Sequence, residues 1–413
     1  IADGVYFNFI PDNRFKTIRI TASLFLPITK ETASANALAA SLITRSCKAY
    51  PDFTSLAKKL DELYGAALYS TVRKLGEIQE LRFTVSGIDD KYALDSVKIS
   101  KELTELLCSA LFEPNIQENA FLGSEFAGER RQLIEELDSE FNEKRLYAVK
   151  RCTEIMCENE PFSVNRTGTK ESLMDTTSEQ AYKAWTNAIE SAKIELYMLG
   201  NTEPQNALNA FKQVFDGKNR SIGLSTTLVT KADEVKRVTE RQEVTQSKLV
   251  MGFRTPYAEP YTDVAVVKLM CAVLGGTPSS KLMNVREKMS LCYYCAARYN
   301  PNKGIIIIDS GVENANIEKT ETAILEQLKS MQAGDITDEE IDAAKLALKN
   351  AYITSLDSLA SIENFYLSQT FNRETLTPEE SAEKIMAVTK EQIIDAAKSV
   401  SLDTIYVLTS NEQ

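Results

Sequence analysis

Two stretches near the end of the chain, Thr389-Lys-Glu-Gln392 and Ile405-Tyr-Val-Leu-Thr-Ser-Asn411, carry the strongest indication of the fold. The first has the pattern of a capping box, which begins a helix, and the second is an apolar run typical of a strand. The same pair occurs 210 to 212 residues earlier as Thr177-Ser-Glu-Gln180 and Ile194-Glu-Leu-Tyr-Met-Leu-Gly-Asn201. Two matching caps, each followed by a matching strand at the same spacing, indicate an internal duplication.

The other predicted elements also occur in the same order in both halves. Each half begins with an alternating strand, from Ile18 to Leu26 or from Leu249 to Phe253. Two helices, two strands, a third helix and a long helical stretch follow, in that order, before the terminal strand. The predicted ranges of these six elements are 34–45, 56–63, 66–72, 78–87, 91–112 and 116–157 in the first half, and 261–274, 280–288, 291–298, 304–311, 315–332 and 337–368 in the second.

This order predicts an α+β fold with two homologous domains. Each domain is expected to be a mostly antiparallel sheet with helices packed on one face. The linker chemistry of Asp216-Gly-Lys-Asn-Arg-Ser-Ile-Gly223 places the boundary there, which gives domains over 1–215 and 225–413.

The composition excludes several classes of function. The chain has 413 residues with 47 Lys and Arg against 59 Asp and Glu, a net charge of −12. This acidic balance argues against nucleic-acid binding and against anionic lipid, and no apolar run reaches the length of a membrane span. The chain has no histidine. A Ser-His-Asp triad, a Cys-His dyad and any zinc site that needs imidazole are therefore excluded, and no cofactor is expected.

Seven cysteines, an odd number, occur mostly in apolar or helical contexts. This usage predicts buried thiols in a reducing compartment, so we expect a cytoplasmic protein. Cys292-Tyr-Tyr-Cys295 has redox or metal-ligand spacing, although no second such motif accompanies it. Cys152 and Cys157 could contribute to a four-cysteine metal site only if the fold brought them to another pair.

A block of the second half resembles a known peptidase family. Leu274-Gly-Gly-Thr-Pro-Ser-Ser-Lys-Leu282, Val285-Arg-Glu-Lys288 and Leu291-Cys-Tyr293 are similar, at the same spacing, to a block of the insulinase, pitrilysin and mitochondrial-processing-peptidase family of zinc metallopeptidases. With the duplication, the resemblance extends over nearly the whole chain. It implies the processing-peptidase fold.

The zinc motif of that family is missing. The resemblance places the family's His-x-x-Glu-His at 37–41, upstream of Arg45-Ser-Cys47, where this chain has Ala37-Leu-Ala-Ala-Ser41. Ala37 and Ser41 stand in place of the two histidines and Ala40 in place of the general base. The third ligand of the family is a glutamate within a Glu-Glu pair, which matches Glu135-Glu136, with Glu136 as the better match. A lone carboxylate does not make a zinc site, so we expect a catalytically silent family member without metal.

Arg286 and Tyr293 match a pair that faces the zinc across the cavity in active members. The resemblance implies that this pair binds substrate backbone and helps to stabilise the oxyanion. Guanidinium and phenol donors suit a carbonyl oxygen that gains negative charge. In two-subunit bacterial members one chain carries the zinc and the other this Arg/Tyr wall. The implied function is a non-catalytic subunit that binds peptide or unfolded protein beside a zinc-bearing homologue.

Three alternatives stay open. The first is a stand-alone or homodimeric peptide-binding or scaffold protein on the same fold. The second is the recognition subunit of a processing peptidase or its respiratory-complex relative, whose glycine-rich loop would here be reduced to Gly275 and Gly276. The third is an active enzyme with unusual ligands such as Asp61, Glu62 and Glu136, which nothing in the sequence groups together.

Overall fold

A computed structural model describes residues 1–94, 97–215, 220 and 222–410. The chain forms two compact units. Unit 1 contains Ile1–Asp138, Val164–Ser225 and Ser358–Leu367, and unit 2 contains Ser139–Ser163, Thr226–Asp357 and Ser368–Gln413. Most of the linker predicted at 216–223 lies outside the described residues, and the domain limits at 215 and 225 stay a prediction.

The strands, in chain order, are β1 (Val5–Pro11), β2 (Thr17–Pro27), β3 (Ala67–Leu75), β4 (Ile78–Ile88), β5 (Ile116–Gln117), β6 (Ala120–Phe121), β7 (Lys193–Gly200), β8 (Lys236–Arg241), β9 (Ser247–Arg254), β10 (Cys292–Asn300), β11 (Ile305–Val312) and β12 (Ser401–Thr409). The α-helices are α1 (Ala33–Ile43), α2 (Phe53–Glu62), α3 (Ile99–Phe112), α4 (Gly123–Asn142), α5 (Lys144–Met156), α6 (Lys170–Asp175), α7 (Ser178–Ser191), α8 (Gln205–Phe215), α9 (Ala265–Gly275), α10 (Ile317–Gln332), α11 (Asp338–Thr354), α12 (Leu359–Leu367), α13 (Pro378–Ala387) and α14 (Lys390–Ser399).

The sheet of unit 1 has the order β1-β7-β2-β4-β3. β1 is parallel to β7, and the other neighbours are antiparallel. Alternate residues of the central strand β2, among them Ile18, Ile20 and Leu24, belong to one buried core with residues of α1, α3 and α7. The many alanines of α1 favour the helix and keep its surface small, so it packs closely on α7 and the sheet.

The sheet of unit 2 has the equivalent order β8-β12-β9-β11-β10, again with one parallel pair, β8 with β12. β7 and β12, the two matching terminal strands, occupy the same position in their sheets. The predicted capping boxes are present, because Thr177 accepts a hydrogen bond from the backbone N–H of Gln180 and Thr389 accepts one from Gln392. The predicted α+β fold and its internal duplication are confirmed.

Each unit also contains a helix from the other half of the sequence, which lies on the sheet face away from the main helices. In unit 1 this helix is α12, which contacts β2 and β7. In unit 2 it is α5, which contacts β9, β11 and β12. Met156 of α5 packs directly over Gly252, where a Cβ atom would lie 2.7 Å from the methionine sulfur. The sequence predicted only long helical stretches at 116–157 and 337–368, and did not indicate that α5 and α12 within them are separate helices.

Three local features differ from the expectation. The parallel edge strands β1 and β8 were not anticipated, because their exposed sides lack a continuous apolar pattern. The helix expected at 280–288 is a single π-helical turn, Asn284–Lys288. The stretch expected at 116–157 holds a short hairpin and two helices. Among the described residues, no helix combines the length and the apolar character that a membrane crossing requires.

Candidate functional site

The residues that stand in place of the zinc motif are part of the hydrophobic core of unit 1. Ala37 and Ala40 lie on α1 and are fully buried. Ser41 is partly exposed, and its hydroxyl donates to the carbonyl oxygen of Leu38 in its own helix at 2.9 Å. A methyl group offers no lone pair to a metal, so two of these three positions contribute nothing to a coordination sphere.

The carboxylates that the sequence offered as ligands lie at the surface and are not grouped. Glu136 is half exposed and pairs with Arg166 at 2.9 Å, while Glu135 pairs with Arg131 one helical turn away at 3.7 Å. Asp61 and Glu62 are exposed at the end of α2. Within the described residues, no group of three or more His, Cys, Asp or Glu side chains could hold a metal ion. The residues present therefore do not fit zinc.

An ion pair at the end of α1 was not anticipated from the sequence. Arg45 pairs with Glu129 of α4, and its guanidinium also donates to the Gln132 side chain at 2.9 Å. Next to it, the Ser46 hydroxyl donates to Glu125 at 3.0 Å, and burial raises the pKa of Glu125. Glu125 and Glu129 are one helical turn apart on one face of α4. This spacing was the only feature of the sequence that could have indicated the contacts with Arg45 and Ser46.

Arg286 and Tyr293 are exposed, each with a carboxylate partner. Arg286 lies on the π-helical turn, its side chain is 47% exposed, and its Nε is 3.3 Å from a carboxylate oxygen of Glu287. Tyr293 is 58% exposed on the edge strand β10, and its hydroxyl donates to Glu313 at 2.9 Å. This hydrogen bond, reinforced by the negative charge of Glu313, raises the pKa of Tyr293.

Cys152 and Cys157 belong to no group of three or more possible metal ligands within the part of the chain that the structure describes. Both are buried, and burial raises the pKa of each thiol, to about 12 for Cys157. Cys152 faces the sheet of unit 2, where its thiol lies 3.8 Å from the Val250 carbonyl oxygen. These thiols fill the space between α5 and the sheet, so their role is packing.

Unit 1 contains a cavity of about 760 Å³ beside the beginning of α1. Thr32, Asn36, Gln180 and Lys183 are among its lining residues. None of the predicted site residues lines it.

Comparison with known proteins confirms the resemblance predicted from the sequence. The sequence profile of a family described as "Peptidase M16 inactive domain" matches residues 175–348. The "Probable inactive metalloprotease YmfF" of Bacillus subtilis (strain 168) is 29% identical over 413 residues, which cover 99% of this chain and 96% of that protein. The chain is therefore similar to inactive members of the M16 peptidase family, as the sequence predicted.

Solved structures share the M16 fold over the whole chain. A crystal structure of a conserved protein from Enterococcus faecalis V583 has a TM-score of 0.93 at 27% identity and covers 100% of this chain and 98% of that one. A structure described as a peptidase M16 inactive domain from Pseudomonas fluorescens has a TM-score of 0.79 at 15% identity, with coverage of 100% and 98%. The second similarity shows the fold alone. The M16 architecture therefore forms in a chain that has no histidine.

Proposed function

We propose that this chain is the non-catalytic subunit of a two-subunit peptidase. It binds peptide-like or unfolded substrate and presents Arg286 and Tyr293 to the active site of a zinc-bearing homologous subunit. The observation that carries the proposal is the exposure of these two donors in a chain whose zinc-motif positions 37, 40 and 41 hold two buried alanines and a serine.

The relatives give this proposal independent support. A stretch of 90 residues, 22% of this chain and 19% of the other protein, is 36% identical to the "Mitochondrial-processing peptidase subunit beta" of Saccharomyces cerevisiae. That protein is by name one subunit of a peptidase. A chain without metal ligands acquires a role in proteolysis most directly by association with a chain that has them.

The contacts of Arg286 and Tyr293 suit a site that exchanges partners. Each side chain holds a carboxylate oxygen at the surface, Arg286 that of Glu287 and Tyr293 that of Glu313. Exposed contacts of this kind are weak, so a substrate carbonyl can displace the carboxylate at little cost. An oxyanion that develops in a water-poor site gains more from the same donors than a solvated carboxylate does.

We also propose that the protein acts in the cytoplasm. All seven cysteines, which lie within the described residues, are free thiols. Free buried thiols are typical of a reducing compartment. The partner is expected to be encoded in the same genome and to retain His-x-x-Glu-His, and a neighbouring reading frame is the first place to search.

Reconstitution with that partner tests the proposal. Peptide cleavage by the pair is measured with wild type, Arg286→Ala and the control Lys288→Ala, which removes an exposed cation from the same turn. Arg286→Ala is expected to lower turnover by about 10²–10³, the typical cost of one oxyanion donor, while Lys288→Ala has little effect. Gel filtration verifies assembly. If the pair assembles and the turnover of Arg286→Ala stays within about twofold of wild type, the proposal of a composite site is wrong. The alternative, a peptide-binding scaffold that acts alone or as a homodimer, is then favoured.

A further inference from the structure

The two cysteines at the start of β10 face the same side of the sheet. In a regular strand, residues three apart point to opposite faces. Here Cys292 is opposite Val312 and Cys295 opposite Ser310, because a β-bulge between Cys292 and Tyr294 adds one residue to β10. Val312 and Ser310 are two apart on β11 and share a face. The bulge therefore brings both thiols to the core side of the edge strand.

The two thiols interact, and their surroundings make them unequal. Cys295 is 7% exposed, whereas Cys292 is half-buried. A hydrogen bond from the Cys295 thiol lowers the pKa of Cys292 to about 7, although burial opposes the shift, and Ser310 and the positive charge of Arg286 add to it. The same hydrogen bond, followed by burial, raises the pKa of Cys295.

The other five thiols lack this combination. Cys47, Cys108, Cys152, Cys157 and Cys271 are all buried, and burial raises the pKa of each. Among the seven cysteines, all of them described, Cys292 alone combines access to solvent, a neighbouring cation and a second thiol within hydrogen-bonding reach. These are the features of a reactive cysteine with a resolving partner.

We propose that Cys292 and Cys295 form a redox site that reacts with hydroperoxides, with Cys292 as the attacking thiolate and Cys295 as the resolving thiol. The site is independent of the proposed peptidase function. Nothing in the reaction requires a metal, a cofactor or a partner chain.

The reaction balances with the hydroperoxide as the oxidant. The Cys292 thiolate attacks the terminal oxygen, the O–O bond breaks, and the alkoxide or hydroxide that leaves takes up a proton from water. Cys292 is then a sulfenic acid. The Cys295 sulfur attacks the Cys292 sulfur, an S–S bond forms, and the hydroxyl group leaves as water with the proton of Cys295. Two thiols lose two electrons in total, and the hydroperoxide gains them.

The bulge also brings the two cysteines near the separation that a disulfide requires. Their partners Val312 and Ser310 are two residues apart on β11, a span of about 6.6 Å in a regular strand. Bridged cysteines have Cα atoms about 4.4–6.8 Å apart. Tyr293 lies between the two cysteines, and its hydroxyl donates to Glu313.

Peptide mapping by mass spectrometry tests the site. The purified chain is treated with hydrogen peroxide, quenched with an alkylating agent and digested. The peptide that contains both cysteines is expected to lose two hydrogens in mass and to resist alkylation until a reductant is added. In native untreated protein at pH 7, Cys292 is expected to alkylate at least about tenfold faster than Cys271, because about half of it is thiolate.

Two variants separate the roles of the thiols. In Cys295→Ser the resolving thiol is gone, so Cys292 is expected to remain a sulfenic acid that dimedone labels. Cys292→Ser is expected to give neither label nor disulfide, and the control Cys271→Ser is expected to behave as wild type. Alkylation of wild-type Cys292 no faster than Cys271, or peroxide oxidation without the disulfide, contradicts the proposal. Both results come from the wild-type chain and do not depend on whether a variant folds.

Discussion

Arg19 on β2 and Glu363 on α12 form a buried ion pair in unit 1, with the Arg19 Nε 2.7 Å from a carboxylate oxygen of Glu363. The two residues are 344 positions apart in the sequence. Arg82 of β4 lies 3.7 Å from the same carboxylate, and Arg19 also donates to the hydroxyl of Tyr69. This cluster attaches α12, a helix from the second half of the sequence, to a sheet built from the first half.

Removal of the Glu363 charge is expected to destabilise unit 1. Glu363→Ala leaves Arg19 and Arg82 buried with less negative charge nearby, and breaking a buried pair on one side costs about 3–5 kcal/mol. The free energy of unfolding is measured by urea denaturation. The control Glu105→Ala breaks the exposed pair with Lys101 and is expected to cost less than about 1 kcal/mol. Equal losses in the two variants would contradict the assigned role of Glu363.

Glu160 is expected to make the stability of unit 2 dependent on pH. Burial by itself would raise its pKa, but hydrogen bonds and charge from Arg254 and Lys303 outweigh burial and lower the pKa below its ordinary value of 4.5. The depressed pKa contributes stability that is present above about pH 4.5 and is lost as the pH falls through the folded-state value.

The test compares urea midpoints of wild type and Glu160→Gln between pH 7 and pH 3. The difference is expected to be largest at neutral pH and to shrink as the pH falls from 4.5 towards the lower folded-state pKa, where Glu160 of the native wild type becomes protonated too. Glu158→Gln is a matched control on the same segment, because Glu158 makes an exposed pair with Lys236. A constant difference across the range would rule out the linkage.

Reintroduced histidines are not expected to restore a zinc site. Ala37 is fully buried, so an imidazole there overpacks the core and lowers the free energy of unfolding by about 1–3 kcal/mol. Two imidazoles fall short of the three protein ligands usual in catalytic zinc sites, and Glu136 would first have to leave its surface pair with Arg166. Metal analysis of wild type and of the double variant Ala37→His, Ser41→His is expected to find well below one zinc per chain.

Ser41→His alone is the control for that experiment, because Ser41 is partly exposed and accepts a larger side chain with less strain. About one tightly held zinc per chain in the double variant, together with chelator-sensitive peptide hydrolysis, would show that the fold still supports the metal centre.

Conservative substitutions at the Arg/Tyr wall are expected to differ in severity. In the reconstituted pair, Arg286→Lys should lose nearly as much turnover as Arg286→Ala, because an ammonium group cannot reproduce the planar fork of donors. Tyr293→Phe removes one neutral donor, worth about 0.5–1.5 kcal/mol, or roughly two- to tenfold in rate. Tyr261→Phe is the control, since its hydroxyl binds the Thr226 carbonyl oxygen elsewhere in unit 2. Full activity of the Arg286→Lys variant would exclude recognition of the substrate by two donors of the Arg286 guanidinium.

Much of the fold could be predicted from the sequence because its signals are local. The capping boxes at Thr177 and Thr389 form as expected, since each depends on residues only three positions apart. The alternation of apolar residues along β2 and β9 identified the core side of each sheet, because it too is a pattern within a few residues. The missing zinc ligands are a property of composition, because a chain without histidine cannot supply imidazole in any conformation.

Part of the candidate site was not predictable, because it depends on contacts between distant segments. Arg45 and Glu129 are 84 residues apart, and neither has a local pattern that indicates the other. The Cys292–Cys295 spacing was visible in the sequence, but the bulge that turns both thiols to one face was not. A bulge is set by the register of β10 on β11, which no window of a few residues determines.

The sequence by itself determined the class of fold, its duplication, its resemblance to the M16 family and the absence of the imidazoles that the family's zinc site requires. Only the tertiary structure decided that α5 and α12 belong to units built from the other half of the chain, and that Arg19 and Glu363 meet. The physical reason is the range of the interactions involved. Helix caps and strand alternation depend on residues a few positions apart. The buried charges on the polar face of a sheet, in contrast, need partners of opposite charge, and the segment that supplies them can come from any part of the chain.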